Sequence, residues 1–414
     1  MKKVLIADKL SVAAEKVFTA NNISYEKKTG LNEEDICKIV PEYHGIVVRS
    51  ATTITKKIID AGINLKVLGR AGIGVDNIDI SAATNKGIVV MNTPFGNSIT
   101  TAEHTISLMM SLARNIPQAN QSIKLGKWEK SKFMGTELFG KSLGMIGCGN
   151  IGSLVAERSM GLKMKVLVYD PFLSEEQTSK LGGKKVELKE LLSQADFITL
   201  HTPFTNETKG ILNKESLKKC KPGVRIINCA RGGLIVENDL IESLKAGHVS
   251  GAALDVFSEE PPKNKNLFDV ENLILTPHLG ASTSEAQENV AIQIAQQISD
   301  YLNNEVIVNS INVSPISTEE APKLKPYLDL SLKLGRFGGQ IIESTIKKIN
   351  VTFRGEVSAL NTKPLISTIV SGIFSNKMES VNLINAEAVA KKKNIEIVTS
   401  YQSEAVNHEA EIYI

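Results

Sequence analysis

Residues 143–152 read LGMIGCGNIG, and the next apolar run, VLVY, ends at Asp170, eighteen residues after Gly152. An apolar strand that enters three glycines at this spacing and continues into a helical pattern, here Asn150 to Leu162, has few geometries open to it. Gly147 allows a tight turn out of the strand, Gly149 lets main chain approach a bulky anion, and Gly152 lets the helix lie close to the sheet. The helix start then offers unpaired N–H groups and a partial positive charge, which suits a pyrophosphate. A carboxylate ending the following strand accepts both ribose hydroxyls and repels an added phosphate, so Asp170 points to NAD rather than NADP. A glycine turn alone would be weak; the strand, the helix and the acid arriving at its expected distance give the reading its weight.

The composition sets wide bounds. The chain has 414 residues, 42% hydrophobic and 22% charged, ordinary for a globular protein with two or three domains. A net charge of +3 implies no general attraction to nucleic acid or a membrane surface. Cys37, Cys148, Cys220 and Cys229 form no CxxC pair and have no histidine at zinc spacing, so neither a disulfide framework nor a metal site is expected. MKKVLIAD has four apolar residues before Asp8, too few for a signal-peptide core, and reads as a first strand. No stretch reaches bilayer length, and a cytoplasmic location is expected.

Short apolar runs alternate with helical patterns from the start: KVLIAD, GIVVRS ending at Ser50, KVLGRAG from Lys66 and GIVVMNTP from Gly87. Such alternation predicts an α/β fold with largely parallel sheets. A long helix is expected from near Thr100, where Thr100 and Glu103 have capping-box spacing. SLGMIG, KVLVYD, DFITLH, VRIINCA, GAALDV and LILTP then supply six strand candidates ending near Pro277, enough for a full dinucleotide-binding sheet. Ser282 and Glu285 offer a second capping box, for a helix through about Asn303. Because the second sheet closes just before that helix, the chain is expected to return there to its first domain. The resulting organisation is a discontinuous substrate domain (1–98 and 283–313), an inserted Rossmann-type NAD domain (99–282), and a hinged cleft for the active site. VSPISTEEAPKLKP (313–326) reads as a linker, and 318–414 as an α+β region whose final EIYI is a strand still in progress, so that this region reads as incomplete.

In parallel sheets the C-terminal strand ends face the ligand crevice. VRIINCA is followed by Arg231, Gly232 and Gly233; an arginine there can clamp a carboxylate through two parallel hydrogen bonds, although a lone arginine in a turn is usually a surface group. GAALDVF is followed by Ser258, Glu259, Glu260 and two prolines, and LILTP by His278, Leu279 and Gly280. His44, His104, His248 and His408 read as structural or solvated. His278 differs because a carboxylate, an arginine and a nicotinamide site converge on its sheet edge. Oxidising an alcohol needs a base for the hydroxyl proton, a hydride acceptor and a cation for the substrate's carboxylate. His278 suits the first role, Arg231 the third, and Glu260 would stabilise the imidazolium and fix its tautomer, with Glu259 competing for that part.

With these residues in view, the chain resembles the D-isomer-specific 2-hydroxyacid dehydrogenases, most closely those acting on 3-phospho-D-glycerate. The resemblance runs from about Val4 to Val313 through VVRSAT (47–52), GRAGIGVDNID (69–79), NTPFGNS (92–98), KWEKSKFMGTEL (127–138), NCARGG (228–233), DVFSEEPP (255–262) and PHLGAST (277–283). It implies a flavodoxin-like substrate domain and the catalytic set Arg231, Glu260 and His278, choosing Glu260 because the family's glutamate directly precedes proline. It implies that His201, Thr202, Pro203, Thr208, Cys229, Ala230, Asp255 and Gly280 line the NAD site beside Gly147, Gly149, Asn150, Ile151, Gly152 and Asp170. Arg49, Arg70, Gly72 and Asn97 fall where such enzymes hold the substrate phosphate. Lys130 and Lys132 fall where a neighbouring subunit's site is reached, since the family is dimeric through its cofactor domains; a homodimer is implied, with a tetramer as the larger option. The implied reaction is oxidation of 3-phospho-D-glycerate to 3-phosphooxypyruvate, the entry to serine synthesis.

Three departures stand out. Ile73 occupies a place where close relatives often carry threonine, and Asn150 one where some carry arginine; both bear on NAD contacts. The third is length, since 318–414 looks like the first part of an intervening domain with no ACT domain after it, and serine feedback through such a domain is not expected. Two rival functions share much of the pattern: the same chemistry on hydroxypyruvate, glyoxylate or lactate, and an NAD-sensing corepressor of the same fold. Arg49, Arg70 and the Lys130–Lys132 pair favour a phosphorylated substrate over the first, and the motifs at 92–98 and 127–138 point to the metabolic enzyme over the second.

Overall fold

The apolar runs read from the sequence form strands, and the two large sheets are wholly parallel. The computed structural model describes residues 2–314, 316, 320–375, 378, 381–405 and 408–414; residues 315 and 317–319 of the expected linker lie outside these. The chain divides into two compact units, residues 1–96 with 287–414, and residues 97–286.

In the first unit, β1 (Lys3–Ile6), β2 (Ser24–Lys27), β3 (Gly45–Val48), β4 (Val67–Arg70) and β5 (Val89–Met91) form a sheet ordered β2-β1-β3-β4-β5. That is the flavodoxin-like order. The sequence reading missed β2, SYEK, because it is an edge strand whose Glu26 and Lys27 are used in surface ion pairs. One face of the sheet packs on the Ser284–Asn304 helix through Val290, Ile294 and Ile298. Returning the chain to this sheet is therefore driven by apolar burial.

The second unit holds β6 (Ser142–Ile146), β7 (Lys165–Tyr169), β8 (Lys184–Lys185), β9 (Phe197–Leu200), β10 (Val224–Asn228), β11 (Val249–Leu254) and β12 (Leu273–Leu275), ordered β12-β11-β10-β9-β6-β7-β8. Seven strands occur where six were expected; the additional β8 is a two-residue lysine edge with no apolar signal. Chain order reverses at β6, whose neighbours are β7 and β9, so the glycine turn leaves the sheet at its topological switch point.

Helix starts differ from the expected boxes. The first long helix runs Ser98–Arg114 with Asn97 as its N-cap, and Thr100 instead lies 3.3 Å from Thr283. At the later helix the capping side chain is Thr283, which accepts from Ala286 N at 3.2 Å, rather than Ser282.

The third sequence region forms β13 (Lys348–Gly355), β14 (Glu396–Gln402) and β15 (Ala410–Tyr413), ordered β14-β13-β15, with helices Ala321–Ile341 and Lys363–Ser375 packed together. The first helix begins inside the expected linker: Pro322 occupies its first turn, where a missing N–H costs nothing, and Pro326 is accommodated within the helix. The region also grips the first sheet. Ile384 is buried in the core with Val4, Val89 and Ile298, Asn382 Nδ2 donates to Gly87 O (2.8 Å), and Lys392 Nζ reaches Asn85 Oδ1 (2.6 Å). Among the described residues no helix is long and apolar enough to cross a membrane.

Candidate active site

The turn after β6 has the shape its glycines call for. Gly147 takes φ +90°, and a Cβ there would meet Thr202 Cγ2 at 2.7 Å and the His201 carbonyl at 2.8 Å. A Cβ on Gly152 would stand 2.7 Å from the Gly147 carbonyl. Gly149 is the exception, since nothing lies within 4 Å of its Cβ position. It is also the N-cap of the Asn150–Gly161 helix and provides no side-chain cap, which leaves the first amides for a ligand. Asp170 accepts from Cys148 N and Phe172 N, both at 2.9 Å, so its carboxylate is fixed at the end of β7.

These residues fit a dinucleotide: an open cradle at Gly149, a helix start at Asn150 and Ile151, and an anchored carboxylate for a ribose. Thr202 Oγ1, buried and without a hydrogen-bond partner among the described residues, fits the same group. Beside it, burial pushes the His201 pKa down to about 4, so the ring is neutral near pH 7, and Nε2 lies 3.0 Å from Thr199 Oγ1. The Thr208 hydroxyl closes the next turn on the Pro203 carbonyl at 2.6 Å. Burial likewise pushes the Cys229 thiol up to about 12, leaving it uncharged.

Past β12, His278 adopts φ +53° and its Nδ1 stands 2.7 Å from Glu260 Oε2. Glu260 Oε1 accepts from Phe257 N at 3.1 Å, which orients the carboxylate. Burial works to raise the Glu260 pKa, but the hydrogen bond and charge of His278 outweigh it and hold the carboxyl below its usual range. Glu259 turns away and pairs with Lys263. With Nδ1 engaged, Nε2 is the ring atom left for a substrate.

The Arg231 turn is pressed against the loop carrying Glu260. A Cβ on Gly232 would fall 1.9 Å from the Phe257 carbonyl carbon, so only glycine permits that approach. Asn228 shapes the turn by donating to Arg231 O (2.8 Å) and accepting from Ala230 N (3.0 Å), while Arg231 Nη1 donates to Ala230 O at 2.7 Å. Asp255, fully buried at the end of β11, accepts from Leu279 N at 2.7 Å and Gly280 N at 2.8 Å, tying the His278 turn to the same edge.

His104, read from sequence as structural, places Nε2 3.2 Å from Asp255 Oδ1. Its spacing of three from Thr101 on one helix was the available signal. His104, Cys229 and Asp255 bring ligand-type atoms within 4.8 Å of one another, yet both carboxylate oxygens of Asp255 already accept hydrogen bonds.

The remaining predicted residues lie elsewhere. Arg49 follows β3 and Arg70 ends β4, the neighbouring strand of the first unit, with Gly72 N donating to Arg70 O at 2.9 Å. Arg49 N donates to the buried carboxylate of Asp8 at 2.6 Å. Asn97, in the second unit, has a buried Oδ1 without a partner among the described residues. Lys130 and Lys132 occupy the exposed turn Lys130–Phe133, with no ion-pair partner among the described residues. Ile73 accepts from Asn92 Nδ2 through its carbonyl at 2.6 Å.

Comparison with known proteins identifies the family. Residues 106–280 match the model of the D-isomer specific 2-hydroxyacid dehydrogenase NAD binding domain, and residues 323–414 that of the D-3-phosphoglycerate dehydrogenase intervening domain. The chain is 44% identical over 416 residues to a D-3-phosphoglycerate dehydrogenase of Synechocystis sp., covering 100% of this chain and 75% of that protein. It is 44% identical over 408 residues to one of Archaeoglobus fulgidus, covering 98% and 77%. Among solved structures, a glyoxylate reductase from a Paecilomyces species superposes with TM-score 0.70 at 26% identity, over 75% of this chain and 98% of that one. Identity at this level along the whole chain shows that it belongs to the D-isomer-specific 2-hydroxyacid dehydrogenase family, on its D-3-phosphoglycerate dehydrogenase branch.

Proposed function

We propose that this NAD-dependent dehydrogenase oxidises 3-phospho-D-glycerate to 3-phosphooxypyruvate, the entry to serine synthesis, with His278, Glu260 and Arg231 as its catalytic residues. The observation that carries the residue assignment is the 2.7 Å pairing of His278 Nδ1 with Glu260 Oε2 beside the Arg231 turn. When bound, NAD supplies the acceptor for the hydride leaving C2 of the substrate. His278 Nε2 takes the proton of the C2 hydroxyl as the C–O bond becomes a carbonyl. Glu260 stabilises the imidazolium so formed, and Arg231 holds the substrate carboxylate through its guanidinium fork. Arg49 and Arg70, at the ends of adjacent strands, supply the charge for the phosphate.

The test is NADH formation from 3-phosphoglycerate, glycerate and D-lactate, with NAD and NADP compared for each. A clear preference for the phosphorylated acid with NAD is expected; equal rates on all three acids would remove the phosphate assignment.

The same reading includes a homodimer. Trp128 and Met134 are 83% exposed and Phe139 73%, and Ile116, Ile123 and Leu125 are exposed on the segment leading to them. An apolar stretch of this size suits burial against a second copy, which would also bring Lys130 and Lys132 to the interface. Light scattering should give twice the chain mass, and Trp128→Glu should lower it.

A further inference from the structure

The Ser98–Arg114 helix lays Thr101 and His104, three residues apart and so on one face, against the turn that carries His278. Thr101 Oγ1 donates to the Gly280 carbonyl at 2.8 Å. His104 Nε2 lies 3.2 Å from Asp255 Oδ1 and 3.3 Å from Thr276 Oγ1. The Thr276 hydroxyl spends its own hydrogen on Asp255 Oδ1 at 2.6 Å, so Nε2 must be the protonated nitrogen for both contacts to be favourable.

Asp255 is the hub of this arrangement. Besides Thr276, it receives Leu279 N at 2.7 Å and Gly280 N at 2.8 Å on its carboxylate, and its carbonyl receives His278 N at 2.9 Å. Apart from Pro277, every residue from 276 to 280 is thus tied to one buried side chain or its own carbonyl. The tie is needed because His278 sits at φ +53°, a left-handed conformation that is unfavourable for a non-glycine residue. Burial works to raise the Asp255 pKa, yet the hydrogen bonds from His104 and Thr276 lead the groups that bring it below the usual range.

We infer that His104 is a positioning residue for the reaction: through Asp255 it holds the 276–280 turn in the conformation that presents His278 to the substrate. This rests on His278 being the acid–base group, whereas the clasp itself is a property of the free protein.

The experiment compares His104→Leu, which fills the space but cannot donate, with His104→Gln, whose amide reaches the place of Nε2 without titrating. Hydrogen exchange of the 276–281 segment is followed in the ligand-free protein, alongside melting temperature, NADH affinity, kcat and KM. In His104→Leu, exchange at Leu279 and Gly280 should accelerate and kcat fall, each by about tenfold, as expected for one lost hydrogen bond to a charged group. KM for the hydroxy acid should move less than about twofold, since the interaction lost acts mainly after binding. His104→Gln should restore both quantities. Should His104→Leu fail to fold, His104→Asn, too short to reach Asp255, takes its place.

Unchanged exchange in His104→Leu, or accelerated exchange with wild-type kcat, overturns the inference. So does a folded His104→Gln that behaves like the leucine variant. Accelerated exchange together with full turnover by His278→Ala would instead locate the error in the acid–base assignment, and the positioning role would fall with it.

Discussion

Glu260 Oε2 stands 2.7 Å from His278 Nδ1, while Glu259, one residue earlier, pairs with Lys263. The two carboxylates thus serve opposite directions of the chain. One engages an imidazole nitrogen; the other is a surface ion pair of little energetic consequence. The Glu260 carboxylate also bonds Phe257 N, so the imidazole inherits its orientation from the main chain of the loop after β11.

His278→Ala should lower kcat by about 10²–10⁴-fold, the usual range for a lost acid–base group, and leave NADH affinity nearly unchanged. Glu260→Gln, which keeps the hydrogen bond but removes the charge, should cost less. Steady-state kinetics with fluorescence titration of NADH checks both; turnover by His278→Ala would place the proton acceptor elsewhere.

Arg231→Lys keeps the charge and loses the planar two-point clamp. A rise in KM for the hydroxy acid together with a fall in kcat is expected, for a combined loss of about 10²-fold in kcat/KM, since the charge-assisted pair is replaced by a single contact. Unaltered kinetics would show that the guanidinium does not touch the substrate carboxylate.

Two glycine substitutions should separate stability from cofactor binding. Gly149→Ala places its Cβ in open space, so the melting temperature should hold while NADH binding weakens by about tenfold or more through blocked approach of the pyrophosphate. Gly232→Ala drives its Cβ into the Phe257 main chain at 1.9 Å and should destabilise the fold by about 2–3 kcal/mol as the Glu260 loop is displaced. Thermal melts and NADH titrations of both variants distinguish the two effects.

His201 makes stability depend on pH in a defined window. Burial puts its pKa at about 4 in the folded chain, against about 6.5 when unfolded. Between those values the unfolded chain binds more protons, so stability is full above pH 6.5 or so and declines as pH falls toward about 4. About 3 kcal/mol is the upper bound of that loss, reduced by the partial access of the residue to solvent. Urea unfolding of the ligand-free protein across the window should show the decline, and His201→Asn should flatten it.

The legible parts of the sequence were those written in short spacing. LGMIG, VLVY, FITL and VRIIN are apolar because both faces of a parallel sheet are covered, and they became β6, β7, β9 and β10. Edge strands carry no such signal. Ser24–Lys27 and Lys184–Lys185 pair on one side only, and their polar side chains face water. Helix starts were misplaced for a related reason: Thr100 and Ser282 have the right spacing for caps, but Thr283, which lies opposite Thr100, takes the capping bond at the later helix.

Alternation of apolar runs and glycine placement were enough to determine parallel α/β sheets and the phosphate-binding turn, because they act through backbone preferences within a few residues. What only the tertiary structure decided were contacts between residues far apart in the chain: the approach of Gly232 to Phe257, the choice of Glu260 by geometry, the burial of Ile384 in the first sheet's core, and the grip of His104 on Asp255. These depend on how separate strands and helices end beside one another, and no local pattern in the sequence encodes that distance.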